Sequence, residues 1–257
     1  SRKPLARVAF LGSKGSYSHL ASREYFSRKN TELIELNCEG FREVATTVES
    51  GHADYGVLPI ENTSSGSINE VYDLLQHTTL YIVGELTLPI EHCLVATKEI
   101  RLEDLTTLYS HPQPHQQCSE FLGRLKNIEL KTCASTADAM QKVRELNRSD
   151  VAAIGNASSG KIYGLQAIQD NIANQTENHT RFIIIARKPV EVSPQIPAKT
   201  TLIMSTSQDT GSLVAALLIL QRYNINMTKL ESRPIMGNPW EEMFYVDLEA
   251  HLESDNM

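Results

Sequence analysis

The chain has 257 residues, of which 41% are hydrophobic and 21% charged, and its formal net charge is −7. This composition is typical of a globular protein, and the negative charge argues against nucleic acid as a partner and requires any anion site to be local. No run of about 18 apolar residues predicts a membrane-spanning helix, and the length accommodates one large domain or two ordinary ones.

Strand-like and helix-like segments alternate from Arg7 to about Lys188. The predicted strands cover 7–11, 33–36, 55–60, 80–85, 92–96, 108–110, 129–133, 151–154 and 182–186. The predicted helices cover 16–28, 41–50, 68–77, 114–126, 136–146 and 158–163. Because strands alternate with helices, the sequence predicts an α/β domain at 5–190, with a largely parallel sheet and helices on its faces.

A second unit follows a proline-rich boundary. Three prolines fall between Pro189 and Pro197, which breaks any regular element and suits a short, stiff linker at 191–197. Beyond it, the sequence predicts a strand at 200–205, a helix at 211–223, and strands at 226–235 and 242–250. We therefore expect a separate ferredoxin-like βαββ domain at 198–257.

Five predicted strands end in loops rich in Gly, Ser, Thr, Asn or His, and a helix follows each loop. These loops lie at 12–19, 61–67, 110–113, 134–136 and 155–159. Helix capping is the favoured interpretation of any one of them. Together they indicate a crevice for carboxylates, because strand carboxyl ends converge on one edge of a sheet and helix N-termini attract anions.

The polar cluster 178–182 leads into the apolar strand 183–186. Thr180 offers a hydroxyl, Arg181 a fixed cation and Phe182 an aromatic wall, a set that suits a small anionic ring-shaped ligand. Threonine is also common at a strand start, and Phe182 also fits a core position. Arg181 indicates a carboxylate partner, which either the protein or a substrate supplies.

A second polar cluster follows the strand that ends near Ile60. Glu61 either points into the crevice or caps the next helix, and capping is the favoured interpretation. For Asn62 and Ser64, ligand contact and local hydrogen bonding are equally supported. Gly12 and Gly15 lack the third glycine of a nucleotide-binding fingerprint, so they serve a tight turn or an anion equally well.

No metal and no organic cofactor are expected. His111 and His115 are four residues apart, but Pro112 and Pro114 prevent a regular helix, and no acidic residue lies between them. Neither a P-loop nor a G-x-S-x-G elbow is present. The cysteines are scattered without a C-x-x-C pair, which indicates a reducing compartment and a cytoplasmic location. They are Cys38, Cys93, Cys118 and Cys133.

These motifs together resemble the prephenate dehydratase family over nearly the whole chain, from about Arg7 to Ala250. The segments that carry the resemblance are 12–18, 59–66, 110–113, 152–155 and 180–182. The resemblance implies a two-lobed fold similar to type II periplasmic binding proteins, with the active site between the lobes. The lobes would cover about 5–83 plus 178–190, and about 84–177. The implied activity is decarboxylative dehydration of prephenate to phenylpyruvate, water and CO2 in L-phenylalanine biosynthesis.

The resemblance also implies roles for single residues. Thr180 becomes the donor to the leaving hydroxyl, and His179, Glu61 or water relays a proton to it, because an aliphatic hydroxyl is a weak acid. The expected substrate contacts are Arg181, Phe182, Asn62, Ser64, Ser65, Gly66, Ser16 and Ser18. Since aromatisation favours the product, the enzyme mainly needs placement and a proton donor.

The unit at 198–257 resembles an ACT domain, a regulatory module that binds amino acids. Its motifs are Gly211-Ser212-Leu213-Val214 and Glu231-Ser232-Arg233-Pro234, which the resemblance implies bind L-phenylalanine across a homodimer interface. Ser212 replaces the usual Ala, and the sequence stops before the second helix and fourth strand of an ACT fold, so we expect weak or absent feedback inhibition. A chorismate mutase domain before Ser1 is left open.

Two other functions stay open on the residues alone. One is a non-catalytic solute-binding protein, although no apolar stretch like a signal peptide follows Ser1. The other is a regulatory amino-acid sensor whose crevice is vestigial. Turnover of prephenate separates the enzyme from both.

Overall fold

The structure, a computed structural model, describes residues 2–251. The strands are β1 (Leu5–Leu11), β2 (Glu32–Cys38), β3 (Tyr55–Asn62), β4 (Gly66–Ser67), β5 (Tyr81–Pro89), β6 (Cys93–Ala96), β7 (Thr107–Ser110), β8 (Glu129–Thr132), β9 (Val151–Gly155), β10 (Gln166–Gln169), β11 (His179–Ala186), β12 (Thr200–Ser205), β13 (Met227–Ile235) and β14 (Asn238–Leu248). The helices are α1 (Tyr17–Arg28), α2 (Phe41–Glu49), α3 (Asn69–Leu75), α4 (Pro112–Gln117), α5 (Ser119–Leu122), α6 (Thr136–Leu146), α7 (Ala157–Ile162) and α8 (Ser212–Arg222).

The first sheet has the order β2-β1-β3-β11-β5, with β4 paired to β3. β1 is parallel to β2 and β3, whereas β11 is antiparallel to both β3 and β5. The apolar run of β11 is buried on both faces: Phe182 and Ile184 pack in the cluster under α1, and Ile183 and Ile185 pack against α2 and α3. The sheet therefore divides the first lobe into two apolar layers.

The second sheet has the order β10-β6-β9-β7-β8 and forms the other lobe. β7 is parallel to β8 and β9, while β6 is antiparallel to both of its neighbours, β9 and β10. Helix α6 covers one face through Met140 and Val143, and the α4–α5 segment covers the other through Cys118 and Leu122. Both sheets are thus mixed rather than largely parallel, because each contains strands that return from the opposite lobe or edge.

The third sheet is antiparallel, with the order β12-β14-β13. Together with α8 it forms the predicted βαββ unit, and Gly211, at φ 82°, opens the helix in the left-handed conformation that glycine favours. Residues 252–257 of the expected 198–257 domain lie outside the described residues. The expectation of an absent second helix and fourth strand concerns chain beyond the described range.

Several boundaries differ from the prediction. The helix expected at 114–126 is two short helices separated by the fully buried Cys118, whose φ of −114° and ψ of 15° interrupt the first. Strand β5 continues to Pro89, paired with β11 throughout, so the lobe boundary expected at about 83 falls inside a strand. Strand β11 begins at His179 rather than 182, because its polar start already pairs with β3 and β5. The short strands β4 and β10 were not predicted.

Candidate active site at the edge of the first sheet

The candidate catalytic residues lie on two adjacent strands whose side chains alternate between opposite faces. In the pairing of β3 with β11, Thr180 is opposite Asn62 and Arg181 is opposite Glu61. Because successive side chains of a strand point to opposite faces, Thr180 and Asn62 share one face, and Arg181 and Glu61 share the other. The two polar pairs predicted for one crevice are therefore separated by the sheet.

Asn62 and Thr180 form a buried hydrogen-bonded pair. The Nδ2 atom of Asn62 lies 2.8 Å from Oγ1 of Thr180, and Thr180 is 8% exposed. The backbone N–H groups of Ser64 and Ser65 point at Oδ1 of Asn62 over 2.9 and 3.2 Å. Since a backbone N–H only donates, Oδ1 must be the acceptor, which fixes the amide orientation. Nδ2 therefore donates to Thr180, and the hydroxyl hydrogen of Thr180 stays free for another acceptor.

Thr63 and Asn178 form further hydrogen bonds between the end of β3 and the start of β11. The backbone N–H of Thr63 donates to the carbonyl of His179 over 2.9 Å, and the N–H of His179 donates to Oγ1 of Thr63 over 2.9 Å. Asn178 is 8% exposed and accepts from the Thr63 hydroxyl over 3.4 Å. These bonds hold the end of β3 against the start of β11, so the position of Thr180 is set by backbone as well as side-chain contacts.

Arg181 was expected to hold a substrate carboxylate, and the structure gives it protein carboxylates instead. Its guanidinium contacts Glu61 at 2.6 Å, Asp247 at 3.1 Å and Glu85 at 3.2 Å, and its side chain is 13% exposed. Asp247 belongs to β14, so the Arg181 guanidinium joins the βαββ unit to the first lobe. This corrects the substrate-binding assignment: Arg181 lies in an internal ion-pair network, on the face opposite Thr180.

The same network changes the assignment of Glu61 as a proton relay. Its second oxygen contacts Nζ of Lys229 at 2.5 Å. Burial would raise the pKa of the Glu61 carboxyl, but the Lys229 hydrogen bond and the positive charge of Arg181 together hold that pKa below its usual value. A carboxylate that stays ionised and faces away from Thr180 is poorly suited to pass it a proton.

Two further expectations change for geometric reasons. Phe182 is 1% exposed and packs with Phe10 and Leu86, so it is a core residue rather than a wall of the substrate site. His179 precedes Thr180 in the strand, and alternation puts it on the face of Arg181. A direct relay from His179 to Thr180 is therefore not supported by the arrangement.

The remaining predicted contacts lie near the crevice in capping or turn positions. Ser16 caps α1, accepting from the N–H of His19 and donating to the carbonyl of Leu11. Ser18 is buried at 7% exposure in the first turn of that helix. Ser64 and Ser65 form the turn around Asn62, and Gly66 follows it at φ 83°. Capping thus accounts for Ser16, and the turn positions Asn62.

The two lobes touch where the loop before α1 meets α7. Ser159 donates its hydroxyl to the carbonyl of Gly15 over 2.5 Å, and the Tyr163 hydroxyl donates to the carbonyl of Lys14. Both donors lie on or directly after α7 of the second lobe. A cavity of about 360 Å³ opens at this junction. Its lining includes Tyr17, Leu88, Pro89, Glu91, Asn156 and Ser158, but neither Thr180 nor Asn62. Leu88 is opposite Thr180 in the pairing of β5 with β11.

One of the two predicted regulatory segments, 231–234, also contacts the first lobe. Glu231 accepts from the Ser67 hydroxyl over 2.9 Å. Arg233 donates two hydrogen bonds to Asp73 of α3, over 2.9 and 2.8 Å. The carbonyl of Pro234 accepts from Gln76 over 3.1 Å, while Ser232 is exposed. The segment Gly211-Ser212-Leu213-Val214 forms the start of α8. Segment 231–234 is therefore part of the contact between domains.

Within residues 2–251, no group of three or more His, Cys, Asp or Glu side chains has an arrangement that would hold a metal ion. None of the helices there is both long and apolar enough to span a membrane.

The arrangement defines a class: a two-lobed α/β protein with a cavity at the junction of its lobes, followed by a βαββ unit. Within that class, the chain belongs to the prephenate dehydratase family, whose model matches residues 8–190. It is 58% identical over 252 residues to the bifunctional chorismate mutase/prephenate dehydratase of Enterobacter agglomerans, an alignment that covers 98% of this chain and 65% of that protein. The predicted family and fold class are thereby confirmed.

Two solved structures share the fold. One, described as a novel type of quorum quenching acylase, has a TM-score of 0.80 and 31% identity, and the match covers 97% of this chain and 89% of that one. The other is the prephenate dehydratase of Arthrobacter aurescens in complex with L-Phe, with a TM-score of 0.81 and 24% identity, covering 97% of this chain and 82% of that one. The second likeness concerns the fold alone.

Proposed function

We propose that this chain catalyses the decarboxylative dehydration of prephenate to phenylpyruvate, CO2 and water. The observation that carries the proposal is the Asn62–Thr180 pair, which lies where β3 ends and β11 begins, in a chain that belongs to the prephenate dehydratase family. The Asn62 amide occupies a lone pair of Thr180 and leaves its hydrogen free. That arrangement suits a group that must donate a hydrogen bond to a leaving oxygen.

The reaction moves one electron pair across the ring. The bond between C1 and the ring carboxylate breaks and releases CO2, and its electrons form a new double bond at C1. One of the two ring double bonds shifts toward C4 and expels the hydroxyl there, while the other keeps its position. That hydroxyl takes up one proton and leaves as water, and the ring becomes aromatic. Thr180 donates a hydrogen bond to the departing oxygen, while water that enters the crevice is the source of the proton, since Glu61 and His179 face away.

The carboxylates of the substrate must be held without Arg181. We assign this task to N–H groups of the crevice loops, where α1 starts after the N-cap Ser16 and α6 starts after the N-cap Ser135. Helix N-termini carry unpaired N–H donors and the positive end of the helix dipole. Thr180 and Asn62 then face the ring hydroxyl, and neutral donors rather than a cation face the carboxylates.

We also propose that L-phenylalanine regulates the enzyme through the βαββ unit, bound by Gly211–Val214 and Glu231–Pro234. The related fold of the Arthrobacter aurescens enzyme was solved with L-Phe. Because segment 231–234 contacts Ser67 and α3, a ligand that shifts this segment also changes its hydrogen bonds to the first lobe. Homodimer formation and a cytoplasmic location complete the proposal, the latter supported by four free cysteines.

The test is the formation of phenylpyruvate from prephenate, followed by its ultraviolet absorbance, with no metal or cofactor added. We expect turnover by the purified chain. An absence of turnover in a folded preparation that still binds prephenate would favour the solute-binding alternative. Binding of L-phenylalanine without either prephenate binding or turnover would favour the amino-acid sensor.

The likeness to a quorum quenching acylase raises a second activity to measure. Acyl transfer needs a nucleophile beside a base. Thr180 has the Asn62 amide as its donor, and within residues 2–251 no histidine or carboxylate side chain is hydrogen-bonded to its hydroxyl. We therefore expect no acylase activity. Acylase turnover that is lost in Thr180→Val would assign the same hydroxyl to a different reaction.

A further inference from the structure

His19 is a fully buried histidine for which neither the sequence nor the proposed chemistry supplies a role. It lies in the first turn of α1, is 0% exposed and packs its ring 5.1 Å from that of Phe10. The N–H of Gly15 lies 2.9 Å from Nδ1 of His19, and Nε2 lies 2.8 Å from a carboxylate oxygen of Glu35. Both ring nitrogens are therefore used within the first lobe.

These contacts fix the chemical form of the ring. A backbone N–H only donates, so Nδ1 is unprotonated and Nε2 carries the hydrogen that Glu35 accepts. Burial lowers the pKa of His19 below its usual value, although the Glu35 carboxylate opposes the shift. The neutral ring thus accepts from the loop on one side and is anchored to strand β2 on the other.

The loop that His19 holds is the one that reaches the second lobe. Residues 12–16 include Gly12 and Gly15, both at positive φ. The carbonyl of Gly15 accepts from Ser159, and that of Lys14 from Tyr163. The approach is close enough that a Cβ at Gly15 would lie 2.9 Å from the Tyr163 ring. A chain of contacts therefore runs from His19 in the core of the first lobe, through the 12–16 loop, to Ser159 and Tyr163 in the second lobe.

We propose that His19 is a positioning residue, which fixes the 12–16 loop so that its carbonyl groups bridge to Ser159 and Tyr163 and hold the two lobes together around substrate. The activity readout of this inference rests on the proposed dehydratase function. The bridge is made equally in the substrate complex and in the transition state, so its loss raises KM and leaves kcat nearly unchanged.

A purely local role is the competing explanation. Ser16 accepts from the N–H of His19, and His19 accepts from the N–H of Gly15, a reciprocal arrangement that resembles a helix capping box. Local capping predicts a less stable helix start with no consequence in the second lobe. Bridging predicts that a change at His19 reaches α7.

Two amide substitutions test the two ring nitrogens of His19 separately. In His19→Asn, the side-chain oxygen occupies about the place of Nδ1 and still accepts from Gly15, while the contact to Glu35 is lost. In His19→Gln, the amide reaches about the place of Nε2 and keeps Glu35, while the acceptor for Gly15 is lost. We expect KM for prephenate to rise about tenfold in His19→Gln and much less in His19→Asn, with kcat similar in both. The reverse order would overturn the proposal.

A second experiment changes only the second lobe and leaves His19 intact. The double variant Ser159→Ala/Tyr163→Phe removes both donors of the bridge, and we expect the same rise in KM as in His19→Gln. Adding His19→Gln to that background should raise KM little further, because residues acting through one contact are not additive. A wild-type KM in the double variant, or fully additive effects, would contradict the proposal even if His19→Gln fails to fold.

Hydrogen exchange provides a readout that does not depend on activity. Exchange of backbone amides in 12–20 and 157–163 is measured by mass spectrometry on the unliganded protein. We expect His19→Gln to accelerate exchange in both segments and His19→Asn to change the second segment little. Acceleration confined to 12–20 would establish the local capping explanation. If exchange changes in both segments while wild-type protein does not turn over prephenate, the dehydratase proposal fails and the bridge stands.

Discussion

Replacing Arg181 with Met tests whether this residue serves the fold or the substrate. The change leaves three carboxylates without their shared cation, but the loss is unequal among them. Glu61 keeps Lys229 at 2.5 Å, and Glu85 keeps Lys199 at 2.9 Å. Asp247, whose side chain is 9% exposed, keeps only the Thr201 hydroxyl among the side chains of residues 2–251. The cost therefore falls mainly on one buried carboxylate.

Breaking a buried pair costs about 3–5 kcal/mol, and the lower end applies because two of the three carboxylates keep a lysine. For a protein of this size, about 3 kcal/mol lowers Tm by roughly 10 °C. Thermal unfolding measures the shift, and steady-state kinetics measures KM. We expect Arg181→Met/Asp247→Asn to recover much of the loss, since removing both partners of a buried pair is nearly neutral.

Arg28→Met is the matched control, because the Arg28–Glu24 pair is surface exposed at 63% and 46%. It should change stability by at most about 0.5 kcal/mol. A wild-type Tm in Arg181→Met, combined with a rise of about a hundredfold in KM, would show that Arg181 holds substrate and would refute the network argument.

Two further predictions concern the paired faces of β3. Asn62→Asp removes the donor to Thr180 and supplies an acceptor that captures its hydrogen, so kcat should fall about a hundredfold, whereas a kcat close to wild type would show that the pair is only structural. The pKa of Glu61 is lowered on folding, so its contribution to stability is fully present above the unfolded value of about 4.3 and is lost as pH falls through the folded pKa. The difference in Tm between wild type and Glu61→Gln should therefore be large near pH 7 and shrink toward pH 3, and a difference independent of pH would contradict the ion pairs.

Much of the fold was predictable because apolar runs and capping residues are local signals. The predicted strand 55–60 and helix 136–146 correspond to β3 and α6. Strand β10 and the break at Cys118 depend on neighbours distant in sequence, which periodicity does not reveal. Strand β4 pairs with the end of β3 just before it, but its two residues are too few to show a period. The mixed direction of the sheets likewise follows from where β11 and β6 return, and this is a tertiary property.

The candidate site was predicted in part. Thr180 and Asn62 were named, and the structure brings them together, although their catalytic role stays a prediction. Arg181 and Glu61 were assigned to the same crevice, yet strand alternation already indicates that neighbours in a strand face opposite ways. That signal was present in the sequence. The partners Lys229 and Asp247 were not predictable, because they lie in another domain.

His19 was missed for a different reason. It falls at the end of the predicted loop 12–19, and nothing in the sequence shows that Ser159 and Tyr163 lie across the lobe junction. A buried histidine in a first helical turn is compatible with ordinary packing. Its contact with Gly15 and the contact of Gly15 with the second lobe are visible only in three dimensions.

The most direct test of the central claim is the turnover of prephenate by Thr180→Val beside Thr180→Ser. Valine preserves the shape of threonine without its hydroxyl, and serine preserves the hydroxyl that Asn62 contacts. We predict that Thr180→Val lowers kcat about a hundredfold or more with little change in KM, and that Thr180→Ser retains most of the activity. A wild-type kcat in folded Thr180→Val would contradict the account, because the hydroxyl of Thr180 would then have no part in the reaction.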